Sequence, residues 1–444
     1  MLVFGGTEPL FFSLVQVLLL GLGVLLVVSY GNPGIGKPGF PVAIPLFLVA
    51  LVLLQIVPLP ASIVELFRST AGVATRSTYA TLSVVPYQTL SYLLLLLTYL
   101  VAFYLTISVC QSRAGKKHII FALLALGALE AFYGLVQYLT GWQPLRSYAV
   151  GDLDPVGTYI NKNHFAGLLE MILPFAIGLA IYHFAAIQRT APDAWADARH
   201  IAGRSAVEKV VFWLFLAILI FGAVVLTQSR MGILSTLASI FVVMALIARV
   251  RKGRTARAVL IVGFLSGVIL LIIWIGSLEP VLTRFEALED QYAVTGQGRW
   301  AIWQDTFRLI PRYPWLGTGF GTFGEAYLGV QTSYLNRFVS HAHNDYLEIM
   351  SDGGLIGGLL IFGSFFYVLV RIIRCVGRTK DPLTKTTAVG AAGSLVAILC
   401  HSLADFNLQI PANALVFVVV LGLAFSCARE GIEGANRTEN LSLG

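Results

Sequence analysis

The sequence predicts an all-α polytopic membrane protein with about eleven transmembrane helices and one large external loop containing short amphipathic helices. Three observations predict it. The 444 residues are 57% hydrophobic and 12% charged, with a mean hydropathy of +0.80, whereas soluble domains carry roughly 25% charge. The apolar residues come in long blocks rather than amphipathic stripes, so lipid is the solvent they suit. The basic residues cluster between the blocks. The formal net charge of +7 is therefore a topology signal, which points to membrane lipids and to no nucleic-acid partner.

The spans fall near 9–30, 40–58, 90–110, 118–139, 164–186, 209–227, 231–249, 258–276, 354–373, 388–405 and 413–428. Pro9 to Tyr30 is too long for a signal-peptide core and reads as a span. Basic connectors follow the third span (Arg113, Lys116, Lys117), the fifth (Arg189, Arg199, Arg204, Lys209), the seventh (Arg249, Arg251, Lys252, Arg254, Arg257), the ninth (Arg371, Arg374, Arg378, Lys380, Lys385) and the last (Arg429). The positive-inside rule places all of them in the cytoplasm. Alternation then puts 60–89, 140–163, 228–230, 277–353 and 406–412 outside. The N-terminus also falls outside, which implies either a further span upstream or translocation of a short leader. The chain divides into N-terminal helices (1–276), the external loop (277–353), C-terminal helices (354–428) and a polar cytoplasmic tail (429–444). Cys110, Cys375, Cys400 and Cys427 lie in or beside spans, which argues against a disulfide framework or a thiolate metal site.

The loop 277–353 is too long to be a mere connector and too rich in aromatic residues to be disordered. Trp300, Trp303, Phe307 and Ile310 recur at helical spacing, with Gln304, Asp305 and Arg308 opposite, so an amphipathic helix is expected on the membrane surface or on the bundle. Pro311 and Pro314 end it. Gly317, Gly319 and Gly321 then form a tight irregular turn, which resembles a phosphate loop but lacks the Lys-Ser/Thr that would follow.

External basic residues are the anomaly. Arg230 joins two spans with almost no loop; it either snorkels to the headgroups or binds an anion in an external cavity. Arg284 and Arg299 share the long loop, and each alone reads as a solvated charge. Three guanidinium groups converging on one vestibule would suit a polyanion such as a pyrophosphate, which their planar forks grip bidentately. A second constellation runs from Ser340 through His341, Ala342, His343, Asn344, Asp345 and Tyr346 to Glu348. An imidazole there has the basicity to take a proton from a sugar hydroxyl. The competing readings are interfacial polar residues without chemistry, and a zinc site lacking a third histidine. Asp152-Leu153-Asp154 reads best as a turn before Pro155. In the run Gly157 to Gly167, Asn163 is either an N-cap of the fifth span or a ligand contact.

These motifs together resemble the O-antigen ligase and polymerase superfamily of bacterial envelope glycosyltransferases. Gln55-Ile56-Val57-Pro58-Leu59-Pro60 is similar to its early signature. Asn161 to Gly167 is similar to its Asn-Pro-Asn-His stretch, with Lys162 where proline is common. Ser229-Arg230-Met231-Gly232 matches its Ser-Arg-x-Gly turn; Gly298-Arg299, Trp303 and Gly317 to Gly321 match its loop pattern, and Arg284 with Leu288 its Arg-x-x-x-Leu element. The most specific match is His343 and Asn344 followed by Gly354 and Gly358. The resemblance implies glycan transfer from an undecaprenyl-pyrophosphate donor to a lipid A–core acceptor at the periplasmic face of the inner membrane, without metal or cofactor. It implies His343 as general base, Arg299 and Arg230 (with Arg284) on the pyrophosphate, and Asn344, Tyr346, Asn163 and His341 as substrate contacts. A polymerase or a protein O-oligosaccharyltransferase shares these motifs. A transporter is the non-enzymatic alternative; it predicts repeats and midplane charges, of which Glu130, Glu170 and His401 are the few present.

Overall fold

The computed structural model describes residues 3–30, 43–68, 78–144, 155–189, 196–250, 296–332 and 338–442. It is a helical bundle: α1 (Pro9–Tyr30), α2 (Ala43–Ile56), α3 (Ala61–Phe67), α4 (Pro86–Val109), α5 (Arg113–Thr140), α6 (Lys162–Arg189), α7 (Ala196–Leu226), α8 (Arg230–Val250), α9 (Gly296–Leu309), α10 (Phe323–Leu328), α11 (Asp345–Arg378), α12 (Pro382–His401) and α13 (Pro411–Ser442). A two-residue antiparallel pairing of Leu59–Pro60 with Tyr79–Ala80 is the sheet content among the described residues. Eight of these helices are long and apolar enough to cross a membrane; α1, counted over Pro9–Leu25, and α2 are shorter apolar helices. The expected span 258–276 lies outside the described residues.

Helix α6 is the axle. Phe165, Leu168, Leu169, Met171, Ile172, Leu173, Phe175 and Ala176 are all buried, and α7, α8 and α12 pack round it. Small residues on α12 let the backbones close up: a Cβ at Gly390 would sit 2.7 Å from the Phe175 ring, and one at Gly393 2.6 Å from Val243. This is how helices associate where lipid offers no hydrophobic drive. Large apolar side chains such as Val17, Leu129, Ile218 and Phe366 point outward, as a lipid-facing surface requires.

The bundle has two distinct ends. At one, the α4–α5 connector meets the α11–α12 connector and the body of α13: Arg113 Nη1 lies 3.3 Å from Asp381, and Lys116 pairs with Glu430. At the other, the approach to α6 meets the start of α13, with Tyr159 Oη donating to Asn413 Oδ1 (2.8 Å) and Asn413 Nδ2 to the His164 carbonyl (2.8 Å).

Two expectations need correction. The ninth span begins at Asp345, not 354, and buckles at Gly354, which has φ +61°. The amphipathic helix forms as α9, but rotated. Ile302, Asp305, Thr306 and Leu309 are buried, while Trp300 and Phe307 are exposed. Asp305 is drawn inward because Tyr327 Oη, Thr332 N and Thr332 Oγ1 donate to it at 3.1, 3.0 and 2.7 Å, and a carboxylate so satisfied tolerates burial.

Candidate functional site

The site is built on residues 402–410, the turn joining α12 to α13, together with the last residues of α12. It folds back into the bundle, so that Asp405 and Asn407 are buried. Its backbone fastens the start of α11. Tyr346 Oη donates to Leu399 O (2.8 Å), Asn344 Nδ2 to Leu403 O (2.8 Å), and Asp345 N to Ser402 O (3.0 Å) and Asp405 O (3.2 Å). Asp345 Oδ2 in turn accepts from Ser402 Oγ (2.7 Å) and Leu408 N (3.1 Å). Asn344 is also the N-cap of α11, accepting from Leu347 N at 3.1 Å, the position where a short amide side chain satisfies an orphan donor.

His343 immediately precedes that cap and has φ +50°. A non-glycine residue held in the left-handed region is strained by roughly 1–2 kcal/mol and flags a constrained position. The turn aims His343 at Asp405, with Nδ1 3.8 Å from Oδ1. His164, in the first turn of α6, brings Nε2 to 3.7 Å of the same oxygen, and Arg299 Nη2, from α9, stands 3.9 Å from Oδ2. Arg299 is held by Nη1 donating to Ala404 O at 2.9 Å, and α9 is pinned by Trp303 Nε1 donating to Ala342 O at 3.0 Å. The Phe406 ring forms the floor: His341 stacks on it at 4.3 Å, and His164 and His343 meet it edgewise at 4.6 and 4.8 Å.

These contacts are too long to be hydrogen bonds. His164 Nε2, His343 Nδ1, Arg299 Nε and Asp405 Oδ2 are buried atoms without hydrogen-bond partners. Three polar side chains arranged about one carboxylate, each of the four keeping a buried polar atom without a partner, suit the binding of a polar ligand, since ordinary buried groups are paired. Burial opposes ionisation of Asp405, but His164, His343 and His401 outweigh it and hold the carboxyl well below its usual range. His341 is a separate pair: Nδ1 lies 2.8 Å from Glu348 Oε1, and Ala342 N donates to Oε2 at 2.8 Å. Burial there favours neutral imidazole, but the Glu348 carboxylate overrides it and raises the His341 pKa.

The glycine turn has a different job. Gly317, Gly319 and Gly321 have φ of +71°, +106° and +80°, and the turn is inserted into the break in α11. Leu355 N and Ile356 N donate to Pro314 O (2.9 Å) and Trp315 O (3.2 Å); Thr318 N and Gly319 N donate to Ser351 O (2.9 Å) and Asp352 O (3.0 Å). Gln55 locks the joint, its Nε2 donating to Leu316 O (2.6 Å) and Asp352 O (3.0 Å) and its Oε1 accepting from Phe320 N (3.2 Å). The turn's amides answer the helix's broken ladder.

The structure thus gathers His343, Arg299, Asn344, Tyr346 and His341 at one end of the bundle. Asn344 and Tyr346 have their polar groups committed to the scaffold that aims His343. Arg230 is exposed at the first position of α8, and α8 begins against α6, since a Cβ at Gly232 would lie 2.7 Å from Ala166. Asn163 does not cap α6: its backbone N–H donates to Asn161 Oδ1 at 2.8 Å, so the amide one residue before the helix is the cap. Arg284, Leu288 and Asp152 to Asp154 lie outside the described residues. Sequence reasoning missed Asp405 and His164. Asp405 stood at the end of an expected span, and an ionisable residue at the edge of an apolar block was the signal.

Beside the site, a largely apolar, half-open cavity of about 160 Å³ lies between α2, α4, α11 and α13, and Leu408 and Gln409 of the α12–α13 turn line it. Tyr92 and Phe320, stacked at 5.1 Å, form part of its wall. Among the described residues no group of three or more His, Cys, Asp or Glu side chains is placed to hold a metal ion. Cationic and imidazole groups beside an apolar cleft at a bundle end are suited to an amphiphile with an anionic head.

Residues 215–362 match the family model described as O-antigen ligase. The match runs from α7 through α8 and α9 into α11, and contains Arg230, Arg299, His343, Gly354 and Gly358. The matched stretch, about a third of the chain, is similar to that family and holds several of the motifs read from the sequence. No curated protein matches the chain at a significant level.

Proposed function

We propose, from the match of residues 215–362 to the O-antigen ligase family model, that the chain is a glycosyltransferase moving a glycan from undecaprenyl pyrophosphate to a hydroxyl of a lipid A–core acceptor at the periplasmic face of the inner membrane. The observation that carries this reading is the strained His343 set beside Arg299, both facing one buried, ionised carboxylate. His343 Nδ1 faces Asp405, which leaves Nε2 to receive the proton of the acceptor hydroxyl. The acceptor oxygen attacks the anomeric carbon as the bond to the diphosphate breaks, with inversion, and the departing electron pair stays on the diphosphate. Arg299 and Arg230, with Arg284, stabilise that growing charge, and no metal or nucleotide enters the step. The apolar cavity beside the turn suits the polyprenyl chain, and the exposed Trp300 and Phe307 suit the interface between headgroups and water.

The test is transfer in vitro from undecaprenyl-diphosphate-linked oligosaccharide to purified lipid A–core, with carrier-linked repeat and a protein acceptor as parallel arms. His343→Ala and Arg299→Ala are each expected to lower kcat by about 10²–10³. Wild-type transfer by His343→Ala ends the general-base assignment, and transfer to another acceptor reassigns the product. Cysteine labelling that finds residues 296–344 on the cytosolic side ends the whole reading.

A further inference from the structure

One polar group deep in the bundle touches none of the residues assigned above, yet joins the elements that carry them. Glu170 on α6 is fully buried and lies eight residues past Lys162, about 12 Å down the helix. Its Oε1 and Oε2 each lie 3.1 Å from His401 Nδ1, and Oε2 also accepts from Ser235 Oγ. His401 is the last residue of α12 and opens directly into the turn that holds Arg299 and faces His343. Ser235 lies on α8, little more than one helical turn beyond Arg230. One carboxylate therefore ties the helix presenting Arg230 to the turn that places Arg299 and His343.

An ionisable group among apolar helices is costly and is kept where geometry needs it, because apolar residues of similar size stabilise at least as well. We infer that Glu170 is a positioning residue, acting through His401 and Ser235 to set the spacing of the two arginine-bearing elements across the donor's diphosphate. The inference rests on the glycosyltransfer reading. It gives Glu170 a kinetic signature. The glycan and the polyprenyl chain bind elsewhere, so donor KM should hold while kcat falls, since misplacing charge-stabilising groups by about 1 Å can lower the rate 10²-fold.

The experiment measures kcat and donor KM for undecaprenyl-diphosphate-linked oligosaccharide with wild type, Arg299→Ala, Glu170→Gln, Ser235→Ala and the double variant Glu170→Leu with His401→Leu, each normalised to its monodisperse folded fraction. The double variant removes both buried polar partners together, so it keeps a packed apolar core. It is expected to lose kcat about 10²-fold at nearly constant KM. Glu170→Gln, whose one amide oxygen can still accept from both Ser235 and His401 as Oε2 does, is expected to recover most of that loss, and Ser235→Ala to lose about fivefold. Full activity in the double variant, a change confined to KM, or equal loss in Glu170→Gln overturns the positioning role. If Arg299→Ala itself transfers normally, the underlying glycosyltransfer reading fails instead, so the two failures are told apart.

Discussion

The first turns of α11 lie between two tight backbone turns that solve opposite problems. At the buckle, the left-handed positions are glycines (Gly317, Gly319, Gly321 and Gly354), and the amides and carbonyls freed by the break find partners within 3.2 Å. At the opposite end of the same segment a histidine occupies the left-handed position, and buried polar atoms of His343, His164, Arg299 and Asp405 lack hydrogen-bond partners. Both turns are equally tight. The first is relaxed and satisfied, so it reads as scaffold; the second stores strain and unsatisfied polarity, so it reads as the place where a ligand acts.

Four substitutions sharpen or break that contrast. The largest effect belongs to the scaffold: a side chain at Gly317 would overlap the Asp352 carbonyl at a positive φ, so Gly317→Val should destabilise by on the order of 4 kcal/mol, strain and overpacking together. Thermal unfolding in detergent reads it, and an unchanged midpoint would mean the joint is not built as described. Next is His343→Gly, which should separate stability from activity. Removing the left-handed penalty raises stability by about 1 kcal/mol, while transfer falls by about 10²–10³. A loss of stability would show that the turn is not strained.

Asp405→Asn should keep the fold and lower kcat by about ten- to a hundredfold, because the imidazole and guanidinium groups lose the charge that orients them. Wild-type kcat in that variant would leave the carboxylate with no part in the chemistry. With its pKa held well below the ordinary value, Asp405 contributes stability that is complete above about pH 4 and is lost only as pH falls through the depressed value. The smallest effect concerns His341. Its raised pKa means the pairing with Glu348 is fully present below about pH 6.5 and is lost as pH rises through the higher folded value. His341→Gln should flatten that slope by less than about 1 kcal/mol, since the imidazole is part-exposed and screened. Melting midpoints from pH 5 to 9 decide it.

Much of the site was legible in residue order. His343, Asn344, Gly354 and Gly358 mark the start and the buckle of one helix, and Gly317, Gly319 and Gly321 were readable as a turn because only glycine sits easily at positive φ. The role of that turn was not legible. Its resemblance to a phosphate loop dissolves once Leu355 and Ile356 are seen bonding to Pro314 and Trp315. Which face of α9 meets the protein was not legible for a similar reason: apolar periodicity groups Trp300 with Phe307, but Asp305 is drawn inward by partners farther along the chain, Tyr327 and Thr332.

Composition and the spacing of apolar blocks by themselves determined that this chain is a bundle of membrane helices, since a backbone in lipid has to pair within its own segment. They also determined which end of most helices carries the basic connectors. Tertiary structure alone decided that Asp405 and His164 belong beside His343 and Arg299, and that Glu170 reaches His401. The physical reason is range: helix periodicity is a local property, whereas these groups meet from positions as far apart as 164 and 405, and nothing local encodes which buried charges will find each other.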